Sequence, residues 1–530
     1  MEAAIRQAPN LAAGRAAVTK YRDAVALLKE PEVTWPLTEA ESELCRVLAA
    51  EKGVRAGPYR RQAGPHLLVL APEAWFAQQG DAARLALATL ETGFVLISDL
   101  TGADFAAARH RRLIVLFTPD RAEGSAQTLE GVVFASLALL GPPLQDQIVF
   151  HEFGHELFAA ANLRPRFESF NEMWPELGRQ YALSMLARTP EFEANRQRYL
   201  TAYREQYLTP GLPLEHLGPY DIGAGLLQTV VDTALRHGDD YDWAPLRAFF
   251  RRMRAIPAET DSFQQRQLIL GWGLQQDLGN GIADVLAAAK FDLPHERLAA
   301  LPEELRLGAP FFARIQAALH AGELGNARTL IDGADKRLAT SIYSVQARAA
   351  LGAALSAKGD EAAARDAFRR AGYLMQWHVL GPFANQRGAA LTVPLPPETK
   401  VDLAASVDAL GGPAKWRALA AGTITGYVDL AAALQPNEEV LAYAYTEFQS
   451  AESSAADLFT ASDDQLAVFV NGALVATHPF PRGAFVDNDR TRIAVRRGTN
   501  CLLLKVGNFR GGFGFLARLA DPSGRPWPLQ

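Results

Sequence analysis

The spacing of apolar residues changes character several times along this chain of 530 residues. Residues 1–60 are Ala-rich, and Ala24, Val25, Leu27 and Leu28 form an apolar stripe at helical spacing that Pro31 and Pro36 interrupt. From His66 the texture shifts to short apolar runs. HLLVLAP and RRLIVLFTP predict strands, RLALATLETGFVLISDL predicts a helix between them, and GVVFAS after Gly131 predicts a third strand. Strands alternating with helices predict an α/β layer over residues 61–140.

Over residues 141–300 the apolar positions recur at three- and four-residue intervals. PPLQDQIVFHEFGHELFAAANL predicts one helix, with Pro142 and Pro143 just before its start. NEMWPELGRQYALSMLAR, GAGLLQTVVDTAL and WAPLRAFFRRMRAI predict three more. ALGAALSAKGDEAAARDAFRRAGY resembles half of a tetratricopeptide repeat, so residues 301–375 are expected to be a helical linker domain. One good copy is too few for a long solenoid. From residue 376 to 530 short alternating segments such as VLAYAYTEF, QLAVFVNG and CLLLKVGN are separated by turn signals, which predicts an all-β sandwich. The fold class expected is multidomain α+β: an N-terminal helical segment (1–60), a mixed domain (61–300), the helical linker and the sandwich.

Composition narrows the function. Apolar residues make up 49% and charged residues 21%, which excludes wholesale disorder. The 53 basic and 59 acidic side chains leave a net charge of −6, so no excess cation is available for general nucleic-acid binding. Two cysteines, Cys45 and Cys501, exclude a disulfide framework and a cysteine-based zinc site. The longest mainly apolar stretch, around Val132–Leu140, is far short of the roughly 20 residues a membrane span needs. The first twenty residues hold no apolar core of the signal-peptide kind. A secreted, periplasmic or cell-surface location is expected if such a segment has been removed, and a cytoplasmic one otherwise.

The strongest chemical signal is His151-Glu152-Phe153-Gly154-His155. Positions i and i+4 share a helix face, so both imidazoles reach one metal ion, and Glu152 projects beside it as a general base. The bland alternative is two idle histidines on a helix, but the apolar flanks IVF and LFAAA make the helix buried, where unpaired polar groups are costly. A catalytic zinc site needs a third protein ligand and an open position. Six residues after His155 stands Ala161, which excludes a third histidine there. Glu172, in Asn171-Glu172-Met173-Trp174-Pro175-Glu176, is the first candidate, with Glu168 and Glu176 as alternatives. Pro175 is expected in the first turn of its helix.

HEFGH followed by Asn-Glu on the next helix resembles the gluzincin metallopeptidases, the thermolysin-like clan. The short gap between the motifs is also similar to that of enhancin-like, mucin-directed peptidases. The resemblance spans roughly residues 66–290. It implies one Zn2+ per chain held by His151, His155 and Glu172, and Glu152 as the base. It also implies Glu176 and Asn171 as supports of the ligands, and an edge strand at Gly131, Val132 and Val133 for substrate backbone. Tyr220 is implied as the oxyanion donor, with Tyr181 and His216 as alternatives. Glu130 is a candidate acid for a substrate amine. His237, beside Gly238, reads as a helix C-terminal cap.

WHVLGPF, TASDDQLAVFVNG and RRGTNCLLLKVGN resemble galactose-binding-like jelly rolls. Asp463-Asp464, Asn471-Gly472 and Gly498-Thr499-Asn500 are expected as turns. Trp416, Phe485 and Phe509 are candidate sugar-stacking aromatics, and Asp487 and Asp489 a candidate Ca2+ pair. The expected function is metal-assisted hydrolysis of peptides, proteins or glycoproteins. The alternative is an inactive or very narrow peptidase-fold protein that binds glycan or protein.

Overall fold

A computed structural model describes residues 2–8, 10–27, 59–140, 145–163, 170–218 and 220–529. Leu28, Pro31, Pro36, Cys45, Pro142, Pro143 and Glu168, all singled out in the sequence, lie outside the described residues. The chain forms two compact units, Met1–Ala255 with Gly271–Phe291, and Ile256–Leu270 with Asp292–Gln530.

The first unit opens with helices α1 (Glu2–Arg6) and α2 (Leu11–Leu27). A mixed sheet follows: β1 (Tyr59–Ala63), β2 (Leu67–Pro72), β3 (Leu113–Thr118), β4 (Ala126–Leu129) and β5 (Val132–Ser136), in spatial order β1-β2-β3-β5-β4. Strands β2, β3 and β5 run parallel, and β1 and β4 pair antiparallel at the two edges. Every residue of β3 and β5 is buried, as expected for parallel strands covered on both faces. Leu70, Ile114, Leu116, Val132 and Phe134 form the apolar cluster of one face.

The strands predicted at HLLVLAP, RRLIVLFTP and GVVFAS are β2, β3 and β5. β1 and β4 are polar and short, and only pairing reveals them. The edge position expected for Gly131, Val132 and Val133 is corrected by the pairing. Val132 and Val133 belong to β5, which is hydrogen-bonded on both sides, so the edge strand is Ala126–Leu129.

Helices α3 (Glu73–Gln79), α4 (Asp81–Thr101) and α5 (Phe105–Arg109) connect β2 to β3. After β5 come α6 (Asp146–Ala160), α7 (Phe170–Met185), α8 (Thr189–Tyr203), α9 (Asp221–Ala234) and α10 (Ala244–Arg254). His237 caps no helix. It pairs with Asp240 in a two-strand hairpin after α9 has ended.

The second unit joins helices to a two-sheet β region. Ile342–Ser356 and Glu361–Arg370 are the helix pair predicted from the repeat-like segment, with Asp360 capping the second through the Ala363 N–H. Beyond them, a six-stranded and a four-stranded antiparallel sheet face each other. Trp377 on Gln376–Ala384 of the larger sheet meets Phe515 of the smaller edge-to-face at 4.7 Å. Asn471-Gly472 forms the expected tight hairpin, with φ of 51° and 86° and Val470 paired to Ala473.

Among the described residues no helix is long and apolar enough to cross a membrane.

Glu91 of α4 anchors the start of the sheet. It is 2% exposed and accepts the backbone N–H groups of His66 (2.7 Å) and Leu67 (3.1 Å). Burial raises its carboxyl to about 7, against the opposing pull of His66. The folded chain thus holds this proton more tightly than the unfolded chain does. The stability linked to Glu91 is full below about pH 4.5 and is lost as pH rises through 7. Glu91→Gln removes that dependence. Urea unfolding at pH 5 and pH 8 is expected to show wild type losing about 1–3 kcal/mol more than the variant.

Candidate metal centre

The site is built on two helices that cross closely. A Cβ placed on Gly154 of α6 would lie 2.5 Å from the Pro175 Cα of α7, so only glycine allows this approach. Pro175 sits in the second turn of α7, one turn later than expected, because the helix begins at Phe170. With no N–H it forfeits the bond to the Asn171 carbonyl.

This crossing brings Glu172 over the two histidines. His151 Nε2 lies 3.1 Å from His155 Nε2, and Glu172 Oε2 lies 3.2 and 3.4 Å from the same two nitrogens. Four ligands at zinc–nitrogen and zinc–oxygen distances of about 2.0–2.1 Å stand roughly 3.3 Å apart at the corners of a tetrahedron. The three observed separations match that spacing. Glu172 Oε2 is buried and accepts no hydrogen bond, although two ring nitrogens surround it. A cation satisfies all three lone pairs at once, so the donor set fits zinc. His155, Glu172 and His151 are the one group of three potential ligands that converges in this way among the described residues. The His155 and Glu172 side chains are 23% and 24% exposed, so the cluster opens to solvent.

The surroundings tune each group. Burial opposes protonation of His151, but contacts with Glu172 and Glu176 overcome it and hold the metal-free imidazole at about 9. Glu172 and Glu176 are pulled down to about 2 against burial, Glu172 by the two histidines and Glu176 chiefly by Arg179 and His151. Burial pushes Glu152 upward, with both histidines opposing. Arg121, half-buried on the loop after β3, adds its field at Glu152.

Glu176 supports the cluster from behind. Its Oε1 is 3.0 Å from His151 Nδ1, and its Oε2 accepts from the Tyr199 hydroxyl and the Arg179 guanidinium. Arg179 and Tyr199 went unnoticed in the sequence. Glu176 and Arg179 stand three residues apart on one helix, which is a signal, but Tyr199 comes from α8 and only packing supplies it. Asn171 does not join the cluster. It is exposed in the first turn of α7 and is not among the three converging ligands.

Glu156, next to His155, was also missed. It is 5% exposed and accepts from the Thr128 hydroxyl (2.7 Å) and the Gly131 N–H (2.9 Å), which fastens the β4–β5 hairpin to α6. Glu130, in that hairpin, is exposed at φ 48° and gives its carbonyl to Arg111.

Tyr220 precedes α9 with φ 53° and ψ −125°, a combination that residues with side chains rarely adopt. Its ring lies 6.4 Å from the His151 ring, and its hydroxyl bonds Glu172, whose charge raises the phenol. Tyr181 is fully buried and bonds Asp99 and Arg247 instead. His216 lies on the short turn Leu214–His216.

The expected Ca2+ pair in the second unit is corrected. Arg518 grips both oxygens of Asp487 at 2.6 Å, and Arg482 reaches both oxygens of Asp489 at 2.8 and 2.7 Å. These carboxylates are spent on guanidinium forks and are not available to a cation. Of the candidate sugar-stacking residues, Trp416 packs against Tyr445 and Phe485 stacks on Phe263. Phe509 is partly buried, and its backbone N–H donates to Asp464.

No family model matches this chain, and no curated protein matches it in sequence. One solved structure similar to it is the M60 catalytic domain with the CBM51-1 and CBM51-2 domains from Clostridium perfringens ZmpB. The TM-score is 0.31 and the identity 10%, over 91% of this chain and 62% of that one. This chain therefore spans less than two thirds of the neighbour's length.

Gly154→Ala drives a methyl group into the Pro175 backbone. It is expected to cost about 1–3 kcal/mol in urea unfolding. By lifting Glu172 and Glu176 away from the histidines it is also expected to weaken zinc binding by about 10–100-fold in a competitive chelator titration. Unchanged zinc affinity would show that the crossing does not set the ligand geometry.

Proposed function

We propose that this chain is a zinc-dependent peptidase of the gluzincin type that hydrolyses peptide bonds in proteins or glycoproteins. The observation that carries the proposal is the tetrahedral spacing of His151, His155 and Glu172, open on one side and flanked by the buried Glu152. His151, His155 and Glu172 would hold the ion, which supplies Lewis acidity toward the scissile carbonyl and the attacking water.

The chain's own residues do the rest. Glu152 takes a proton from the water and delivers it to the leaving amine nitrogen. Its raised affinity for that proton suits a base working near neutrality. As the carbonyl oxygen gains charge, the Tyr220 hydroxyl donates to it. The strained backbone of Tyr220 supports this role, since such conformations persist where the surroundings enforce them. Glu176 fixes the ring orientation of His151 from its other nitrogen. The outer side of β4 has no partner strand among the described residues, and an extended peptide can pair there as an added strand.

The two-sheet C-terminal region supports a second reading, in which the chain binds glycan or protein with little or no hydrolysis.

Metal analysis and peptide-library cleavage separate the two. Glu152→Gln is expected to retain about one zinc per chain and to lose turnover by at least about 100-fold. Tyr220→Phe is expected to lower kcat by about 10–1000-fold with KM nearly unchanged, the mark of a contact made in the transition state. Zinc bound by wild type without cleavage of any peptide or glycoprotein would favour the binding reading. A chain that binds no zinc would end the peptidase reading.

A further inference from the structure

The first unit holds a second concavity of about 550 Å3 that shares no lining residue with the zinc cluster. Its walls come from α1, the β1–β2 turn, the end of α4, α5, the entry to β3 and the end of α10. Six arginines line it against three carboxylates, an excess of three positive charges.

The carboxylates are already engaged. Glu2 pairs with Arg6 at 3.3 Å and with His66 at 2.8 Å, and Asp99 lies 2.9 Å from Arg247. Asp104 caps α5 through the Ala107 N–H. Arg254 donates to the Gly102 carbonyl, a neutral acceptor that leaves its charge uncompensated. Arg112 acts on the buried Glu91 carboxyl through its charge, and no ion pair within 4 Å involves Arg112, Arg251 or Arg254 among the described residues.

The dipole of α10 accounts for cations in its last turn, at Arg251 and Arg254. It gives no reason for Arg112, from the entry to β3, to face the same space. Guanidinium groups crowded into a concave wall repel one another unless an anion lies between them, and the concavity focuses their field. Their planar forks match the oxygens of phosphate, sulfate and carboxylate. The volume suits a ligand of small-molecule size, within the usual range of about 300–1,000 Å3.

We propose that this cavity binds a small ligand carrying two or more oxyanion groups, of about disaccharide size. The assignment is independent of peptidase activity.

Isothermal titration of the full chain tests it with three probes: inorganic pyrophosphate, a sulfated heparin disaccharide and digalacturonate. The titrations use zinc-loaded and chelator-treated protein at about 20 and about 150 mM salt. At least one probe is expected to bind both metal states below about 1 mM, more weakly at the higher salt. The probe that binds identifies the source as phosphate, sulfate or carboxylate. Arg251→Ser with Arg254→Ser, and separately Arg112→Ser, are expected to weaken it about 10-fold or more while thermal unfolding stays unchanged. Absence of binding by all three probes would overturn the proposal. Equal binding by the folded variants, or binding that requires zinc, would do the same.

Discussion

The candidate centre depends on one steric condition, the contact between Gly154 and Pro175. Helix axes packed through ordinary side chains stand about 8–10 Å apart. Here a residue without a side chain meets the backbone of a proline, and the helices close in. Glu172 lies one turn before Pro175, and Glu176 follows it. His151 and His155 lie one turn before Gly154 and one residue after it. The contact therefore sets the distance from both carboxylates to the imidazoles, and the separations of 3.0–3.4 Å follow from it.

Electrostatics then holds what sterics assembled. A buried carboxylate is costly unless its oxygens are bonded. Glu176 meets this condition through Arg179, Tyr199 and His151, which draws α7 and α8 together around the inner side of the cluster. At the other end of the motif, Glu156 Oε1 accepts from Thr128 and Gly131, and so ties the histidine helix to the edge hairpin. The six residues from His151 to Glu156 thus reach two layers of the unit. Moving either layer moves the ligands.

The second unit uses the same chemistry without a metal. Asp487 and Asp489 stand two residues apart, as ion ligands often do, yet each faces a buried arginine: Arg518 from a distant strand and Arg482 from seven residues upstream. What a carboxylate does is decided by the cation that reaches it. In the first unit that cation is an imidazole pair fit for zinc, and in the second it is a guanidinium.

Much of the fold was legible in the sequence. The buried runs of β2, β3 and β5, the amphipathic helices and the Asn471-Gly472 hairpin all rest on local periodicity or turn chemistry, which neighbouring residues alone determine. The i, i+4 histidines with Glu152 were legible for the same reason, since a helix places them on one face whatever surrounds it. The edge strand, the partners of Glu176, the role of Glu156, the exclusion of Asn171 and the occupation of Asp487 and Asp489 were not. Most are relations between segments distant along the chain: β4 is an edge only because β5 lies between it and β3, and Tyr199 meets Glu176 only because α8 packs on α7. Residue order alone specifies the local elements and the two-histidine, one-glutamate motif. Which carboxylate meets which cation emerges from packing, because burial and distance between remote segments exist only once the helices and strands have come together.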